Sequence, residues 1–218
     1  MDSIQELYLA LVAIWPLGWL VIFSIAYRKW NSRSGHQQVT LTLLPHLATW
    51  VLAFFLHPAL PGYTSLWGLS NAEAVIVGCV SGCFLALLLS KGKCRLWQLP
   101  INRPRRFLVQ AAIILITSIA EEVIWRGFFF TSLLELGWPI GWAVFASSLW
   151  FGADHMHRGW RMLPVYVLIG GVFCGVFIVT GTLVAPATAH VAYNLAIVNY
   201  KLRGDACTAT SREESISS

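Results

Sequence analysis

Charge is what this sequence has least of. Only 11% of its 218 residues are Asp, Glu, Lys or Arg, where a soluble domain carries about 25%. With 57% hydrophobic residues, the chain cannot dress a water-facing surface, and a soluble globular fold is excluded. Nearly everything is apolar segment or short connection, which leaves no room for a separate soluble domain. Other absences narrow the reading further. The five cysteines, Cys79, Cys83, Cys94, Cys174 and Cys207, form no CxxC pair, so a disulfide framework is not expected. The N-terminus is acidic (Asp2, Glu6) and lacks the positive region of a cleavable signal peptide. There is no internal repeat, no nucleotide-binding glycine loop and no His-Glu-x-x-His helix.

What is present is a set of apolar segments of about spanning length. Seven can be drawn, at Leu7–Tyr27, Val39–His57, Ala72–Ser90, Phe107–Leu134, Trp138–His155, Leu163–Val179 and Thr182–Tyr200. Pro16 falls inside the first, Pro45 interrupts the second and Pro186 the seventh, as membrane helices tolerate. The expected fold is all-α, a polytopic bundle of about seven transmembrane helices. It forms one integral membrane domain over residues 1–204, and the polar residues 205–218 read as a disordered cytoplasmic tail.

The net charge of +5 is organised by topology. Of the 15 Lys and Arg, all but Arg126 fall after segment one, between three and four, between five and six, or after seven. The alternate connections have none. This asymmetry places the N-terminus outside and the C-terminus in the cytoplasm. The positive charge then serves orientation and anionic lipid contact, not nucleic-acid binding. Lys91–Arg106, with Trp97, Leu99 and Ile101, reads as a segment lying in the interface. Gly78-x3-Gly82 and Gly171-x3-Gly175 are close-packing signatures, and Cys79 and Cys83 read as part of the same small-residue face.

The costly residues are the informative ones. An ionised group at the bilayer centre costs about 2.5–3.5 kcal/mol on insertion scales, and Glu121, Glu122 and Arg126 all lie in segment four. On a helix, Glu122 and Arg126 share a face and can pair. Glu121 points about 100° away, among Thr117, Ser118, Trp125 and Phe128. A buried ion pair that fixes helix packing accounts for Glu122 and Arg126. A second buried acid beside it has no evident structural need, and it suits a general base or acid. Phe151 and His155 share a face of segment five, and His190 and Asn194 share one of segment seven. A lone membrane histidine is often a packing residue; Glu, His, His and Asn together in the last four segments are harder to explain that way. Asp154 and His157 adjoin Arg158 and are expected to face the headgroups. Haem ligation by two membrane histidines, His46 and His57 included, would leave Glu121, Glu122, Arg126 and Asn194 unexplained.

Glu121-Glu122-x3-Arg126, Phe151-x3-His155 and His190-x3-Asn194 together resemble, in order, the three motifs of the CAAX protease and bacteriocin-processing (Abi) family of intramembrane proteases. Gly127 and the small residues before His155 also fit. The resemblance covers about residues 107–200; the first three segments are uninformative. It implies hydrolysis of a peptide bond in or at the edge of the membrane, in a membrane-associated protein or peptide. Its eukaryotic members act on prenylated C-termini, and its bacterial members are linked to bacteriocin maturation or immunity. On this reading Glu121 takes a proton from water that His155 positions, and His190 and Asn194 donate to the oxyanion. Glu122 and Arg126 hold segment four in register. No Ser or Cys nucleophile and no cofactor is needed. A second version places zinc or another divalent metal among Glu121, His155 and His190, a familiar catalytic set. The metal-free version is favoured, as much from the resemblance as from the chemistry.

Two other classes stay open: a proton-coupled carrier using Glu and His as a relay, and a proteolytically silent scaffold of the same fold. Short loops and compact size point to a prokaryotic cytoplasmic (inner) membrane. One geometric tension is visible. Glu121 lies about 21 Å along segment four from Phe107, at about 1.5 Å per residue, whereas His155 ends segment five. Either segment four starts below the membrane, with Arg105–Gln110 in the interface, or segment five protrudes; the first is expected, and the site would then open toward the cytoplasmic half.

Overall fold

A computed structural model describes residues 6–7, 9–15, 47–52, 70–91, 104–156 and 159–198. Every regular element among them is helical. Helix α1 spans Asn71–Leu89 and α2 spans Pro104–Glu122. A π-helical segment, Val123–Phe130, continues α2 without a break, and α3, Thr131–Glu135, completes the rod. Next come α4, Ile140–Asp154, and α5, Leu163–Thr180, preceded by a 3-10 turn at Trp160–Met162. The last described helix, α6, is Val184–Val198. Most of the first two expected spans, His46, His57, His157, Cys94, Cys207 and the tail lie outside the described residues.

The helix ends follow local chemistry. Ser70 caps α1 in a reciprocal box: its hydroxyl accepts from Glu73 N–H, and the Glu73 carboxylate accepts from Ser70 N–H at 2.8 Å. Gly181 ends α5 in the left-handed region (φ 66°), its N–H bonding Phe177 O. The next helix begins three residues later. Pro186 is therefore the third residue of α6, where it interrupts nothing because the first-turn N–H groups have no helical acceptor.

Three helices are long and apolar enough to cross a membrane: Asn71–Leu89, Phe107–Glu135 and Trp160–Thr180. The chain is an integral membrane protein. The fifth and seventh expected spans are shorter than their apolar segments. Helices α4 and α6 have 15 residues each, or about 22 Å, against a hydrocarbon core of about 30 Å.

Glycines set the helix spacing. A Cβ on Gly78 would lie 1.9 Å from Thr188 Oγ1, and one on Gly82 would lie 2.1 Å from Ala189 O. Helices α1 and α6 thus run parallel, backbone against backbone. The signature read at Gly171-x3-Gly175 falls on the wrong face. Gly175 meets nothing within 4 Å and Gly171 only Ser148 Oγ at 3.7 Å, whereas a Cβ on Gly170 would reach Ser148 Cα at 3.0 Å. The cysteines are likewise not the packing face: Cys79 is exposed and Cys83 half-exposed, both free, like buried Cys174.

The core forms where the π segment, α4 and α5 meet, around Trp125, Phe128, Phe130, Phe151, Phe173 and Phe177. Outside it the rule of soluble proteins is reversed: Val80, Phe84 and Leu108 are each more than 60% exposed, as lipid-facing residues are.

Candidate active site

The polar cluster is assembled from α2, the π segment, the end of α4, α5 and α6. Arg126 is fully buried and donates through Nη1 to Glu122 Oε1 at 3.0 Å and through Nη2 to Gly170 O at 2.9 Å. Its guanidinium carbon also lies 4.6 Å from the Phe151 ring centre and 5.5 Å from that of Phe173. The expected pair therefore forms, and it ties α2 to α5. The π segment was not foreseen. Its widened turn loosens the backbone ladder, and hydroxyls bind three of its carbonyls. Ser147 donates to Trp125 O at 2.8 Å, and Thr131 donates to Gly127 O and Phe128 O.

Glu122 does more than hold Arg126. Its Oε1 also accepts from His190 Nδ1, at 2.8 Å. Because that oxygen is an acceptor, Nδ1 carries the hydrogen and Nε2 is the atom turned to the site. His190 Nε2 lies 3.7 Å from Glu121 Oε2, and His155 Nε2 lies 3.7 Å from the same oxygen. His155 is fixed in the same way: Nδ1 donates to Phe151 O at 2.9 Å. Two imidazoles from different helices thus present Nε2 to one carboxylate. The Glu121 side chain is 12% exposed and that of Glu122 1%, so the two adjacent acids differ in access as well as in partners. Asn194 stands one turn along α6 from His190 and donates to Ser118 Oγ at 3.3 Å. The two contacts, His190 to Glu122 and Asn194 to Ser118, show α6 running antiparallel to α2.

All six residues singled out by motif are therefore in one neighbourhood. Asp154, expected to face the headgroups, is half-buried in the last turn of α4, with Oδ1 buried. Sequence reading missed Tyr166, Gly170 and Phe173, which lie four and three apart on one face of α5. Tyr166 stacks on His155 at 4.5 Å, Gly170 O holds Arg126, and Phe173 lies 4.8 Å from His190. Their spacing was a usable signal; among so many apolar residues it does not stand out.

The depth tension resolves through helix length. Helix α4 stops at His155, level with Glu121, while α2 runs on to Pro104, about 25 Å further at about 1.5 Å per residue. Below the site α2 and α6 continue as walls and α4 does not.

This geometry can hold a water, move its proton and stabilise an anion. Comparison with family models finds one match, over residues 103–196, to the family described as Type II CAAX prenyl endopeptidase Rce1-like. The match covers less than half of the chain and supports assigning this stretch to the CAAX protease family. Searches of the curated proteins and of the solved structures find no match. The matched stretch holds every residue of the polar cluster and leaves out α1, whose glycines seat α6.

Chemically, one carboxylate and two imidazoles are also a zinc donor set. Among the described residues, however, no group of three or more His, Cys, Asp and Glu side chains is arranged to hold a metal ion.

Proposed function

We propose that this chain is an intramembrane endopeptidase in which Glu121 activates a water molecule to hydrolyse a peptide bond of a membrane-associated protein. The observation that carries the reading is the convergence of His155 Nε2 and His190 Nε2 on Glu121 Oε2, each at 3.7 Å. That separation is too long for a direct hydrogen bond and short enough for a water to bridge.

In the proposed mechanism Glu121 takes a proton as the water oxygen attacks the scissile carbonyl carbon. His155 Nε2 accepts from the same water and aims it. The oxyanion forms opposite, toward His190 and Asn194. His190, held by Glu122 Oε1 through Nδ1, serves as an imidazolium in this step and presents Nε2–H to the oxyanion. Asn194 Nδ2 uses one hydrogen on Ser118 and has a second for the same oxyanion. When the C–N bond breaks, protonated Glu121 returns its proton to the leaving amine, and both products depart with atoms and charge in balance.

The family description supports a lipidated CAAX terminus as the substrate. A cavity of about 430 Å³ beside Glu122, lined by Leu115, Ile119, Val123, Ala187, Val191 and Leu195 among others, offers an apolar chain a place next to the cluster. We place the protein in a prokaryotic cytoplasmic membrane, from its short loops and compact size, with its C-terminus inside, from the distribution of Lys and Arg.

The test is cleavage of a quenched fluorogenic peptide with a farnesylated CAAX terminus by the purified chain in bicelles. Glu121→Gln keeps size and hydrogen bonding and removes the base, so kcat should fall about 100- to 10,000-fold at undiminished yield. Full activity in this variant would reject Glu121 as the base. Absence of cleavage with the wild type would turn attention to the carrier reading, tested by solute flux in liposomes.

A further inference from the structure

His155 is the residue after the last turn of α4, with φ −92° and ψ 2°, and a hydrogen bond from Nδ1 to Phe151 O holds its ring at one edge. Whether Nε2 aims at Glu121 depends on the plane of that ring as well as on the bond. Two aromatic rings define the plane. Phe151, one turn back on the same helix, lies 4.6 Å from the imidazole at 41°. Tyr166, from α5, lies closer to parallel: 4.5 Å between centroids at 25°. Phe151 is already engaged with Arg126, Phe173 and His190, so its orientation answers to other contacts. Tyr166 reaches His155 because Gly152 lets α5 close on α4: a Cβ there would lie 2.8 Å from Val167 Cγ2 and 3.1 Å from Leu163 Cδ1. The face that carries Tyr166 also carries Gly170 and Phe173, so α5 braces Arg126 and His190 with the same rigid surface.

We propose that Tyr166 is a positioning residue of the site: its ring face stacks on His155, fixes the imidazole plane and so keeps Nε2 aimed at Glu121. The inference rests on the hydrolytic reading only for its kinetic consequence; the stacking claim can be tested without it. The contact that fixes the imidazole plane is made by the ring.

The experiment compares Tyr166→Phe, Tyr166→Leu and Tyr166→Met in the full-length protein in bicelles. Two readouts are taken: kcat and KM on the farnesylated fluorogenic peptide, and the His155 Cε1–Hε1 signal in ¹³C-histidine-labelled protein, assigned with His155→Gln. Tyr166→Phe should keep kcat within about twofold and leave the His155 signal in place. Tyr166→Leu should lower kcat about ten- to a hundredfold at unchanged KM, as a small misplacement of a reacting group does. It should also move the His155 signal downfield as ring-current shielding is lost. Tyr166→Met, which fills similar space with a flexible chain, should behave like the leucine variant and serves in its place if that one does not accumulate. Wild-type kcat with an unmoved His155 signal in either non-aromatic variant overturns the proposal. So does a phenylalanine variant as impaired as the leucine one. If the wild type cleaves nothing, the functional reading fails while the spectra still decide the stack.

Discussion

The two ends of the rod from Pro104 to Glu135 obey opposite rules. Toward Pro104 the side chains are apolar and exposed: Leu108, Val109, Leu115, Ile116 and Ile119 face outward. From Glu122 to Leu133 almost every side chain is buried, including an acid and an arginine at 0% exposure. In water this would be an inverted protein. In a bilayer it is the expected order, because lipid tails accept apolar side chains at no cost and buried charges find their partners only inside the bundle. The change from one rule to the other occurs at Ser118–Glu122, and the polar cluster lies there. Each prediction below strikes one side of that boundary.

The largest effect is expected on the buried side. Arg126→Ala leaves Glu122 without its cation and Gly170 O without its donor, and removing one member of a buried pair typically costs about 3–5 kcal/mol. Folded yield and thermal stability in detergent should both drop; an unchanged melting temperature would show that the pair holds nothing. Next, at the boundary, Asn194→Ala should slow peptide cleavage by about 100- to 1,000-fold if its amide donates to the oxyanion. Kinetics read at matched folded fraction separate this from lost anchoring to Ser118.

A smaller effect, of about 1–3 kcal/mol, is expected from Gly78→Ala, because the added methyl falls 1.9 Å from Thr188 Oγ1 and must push α6 away. Since His190 rides on α6, activity should fall with stability. Gly175→Ala, where a Cβ meets nothing within 4 Å, is the matched control and should be silent. Equal responses in the two would dissolve the distinction between the glycine faces. The smallest effect belongs to the lipid side: Leu108→Ala, at a position 66% exposed, should change stability by no more than about 0.5 kcal/mol. A large loss there would mean that this half of the rod is not lipid-facing.

Much of this was legible in the residues. An apolar sequence with its basic residues in alternate connections dictates a polytopic helical protein, and the described helices do run alternately: α6 is parallel to α1 and antiparallel to α2. Glu121, Glu122, Arg126, His155, His190 and Asn194 stood out because ionisable and amide side chains are costly in apolar spans, and spacing alone paired Glu122 with Arg126. Spacing could not show that His190 would share Glu122 Oε1, nor that His155 would meet Glu121, since those contacts join residues more than thirty positions apart.

What the sequence by itself determined is the solvent and the chemistry: a bilayer protein with a carboxylate and imidazole cluster, fixed by composition and by the cost of placing charge in hydrocarbon. Tertiary structure alone decided where that chemistry sits. The π segment beyond Glu122, the early end of α4 at His155, the choice of Gly170 over Gly171 as the contact face and the stack of Tyr166 on His155 all depend on helices meeting across space. In a chain so uniformly apolar, periodicity does not distinguish a lipid-facing side from a protein-facing one. Only the packing of one helix on another breaks that symmetry, and it does so through small residues and buried polar partners.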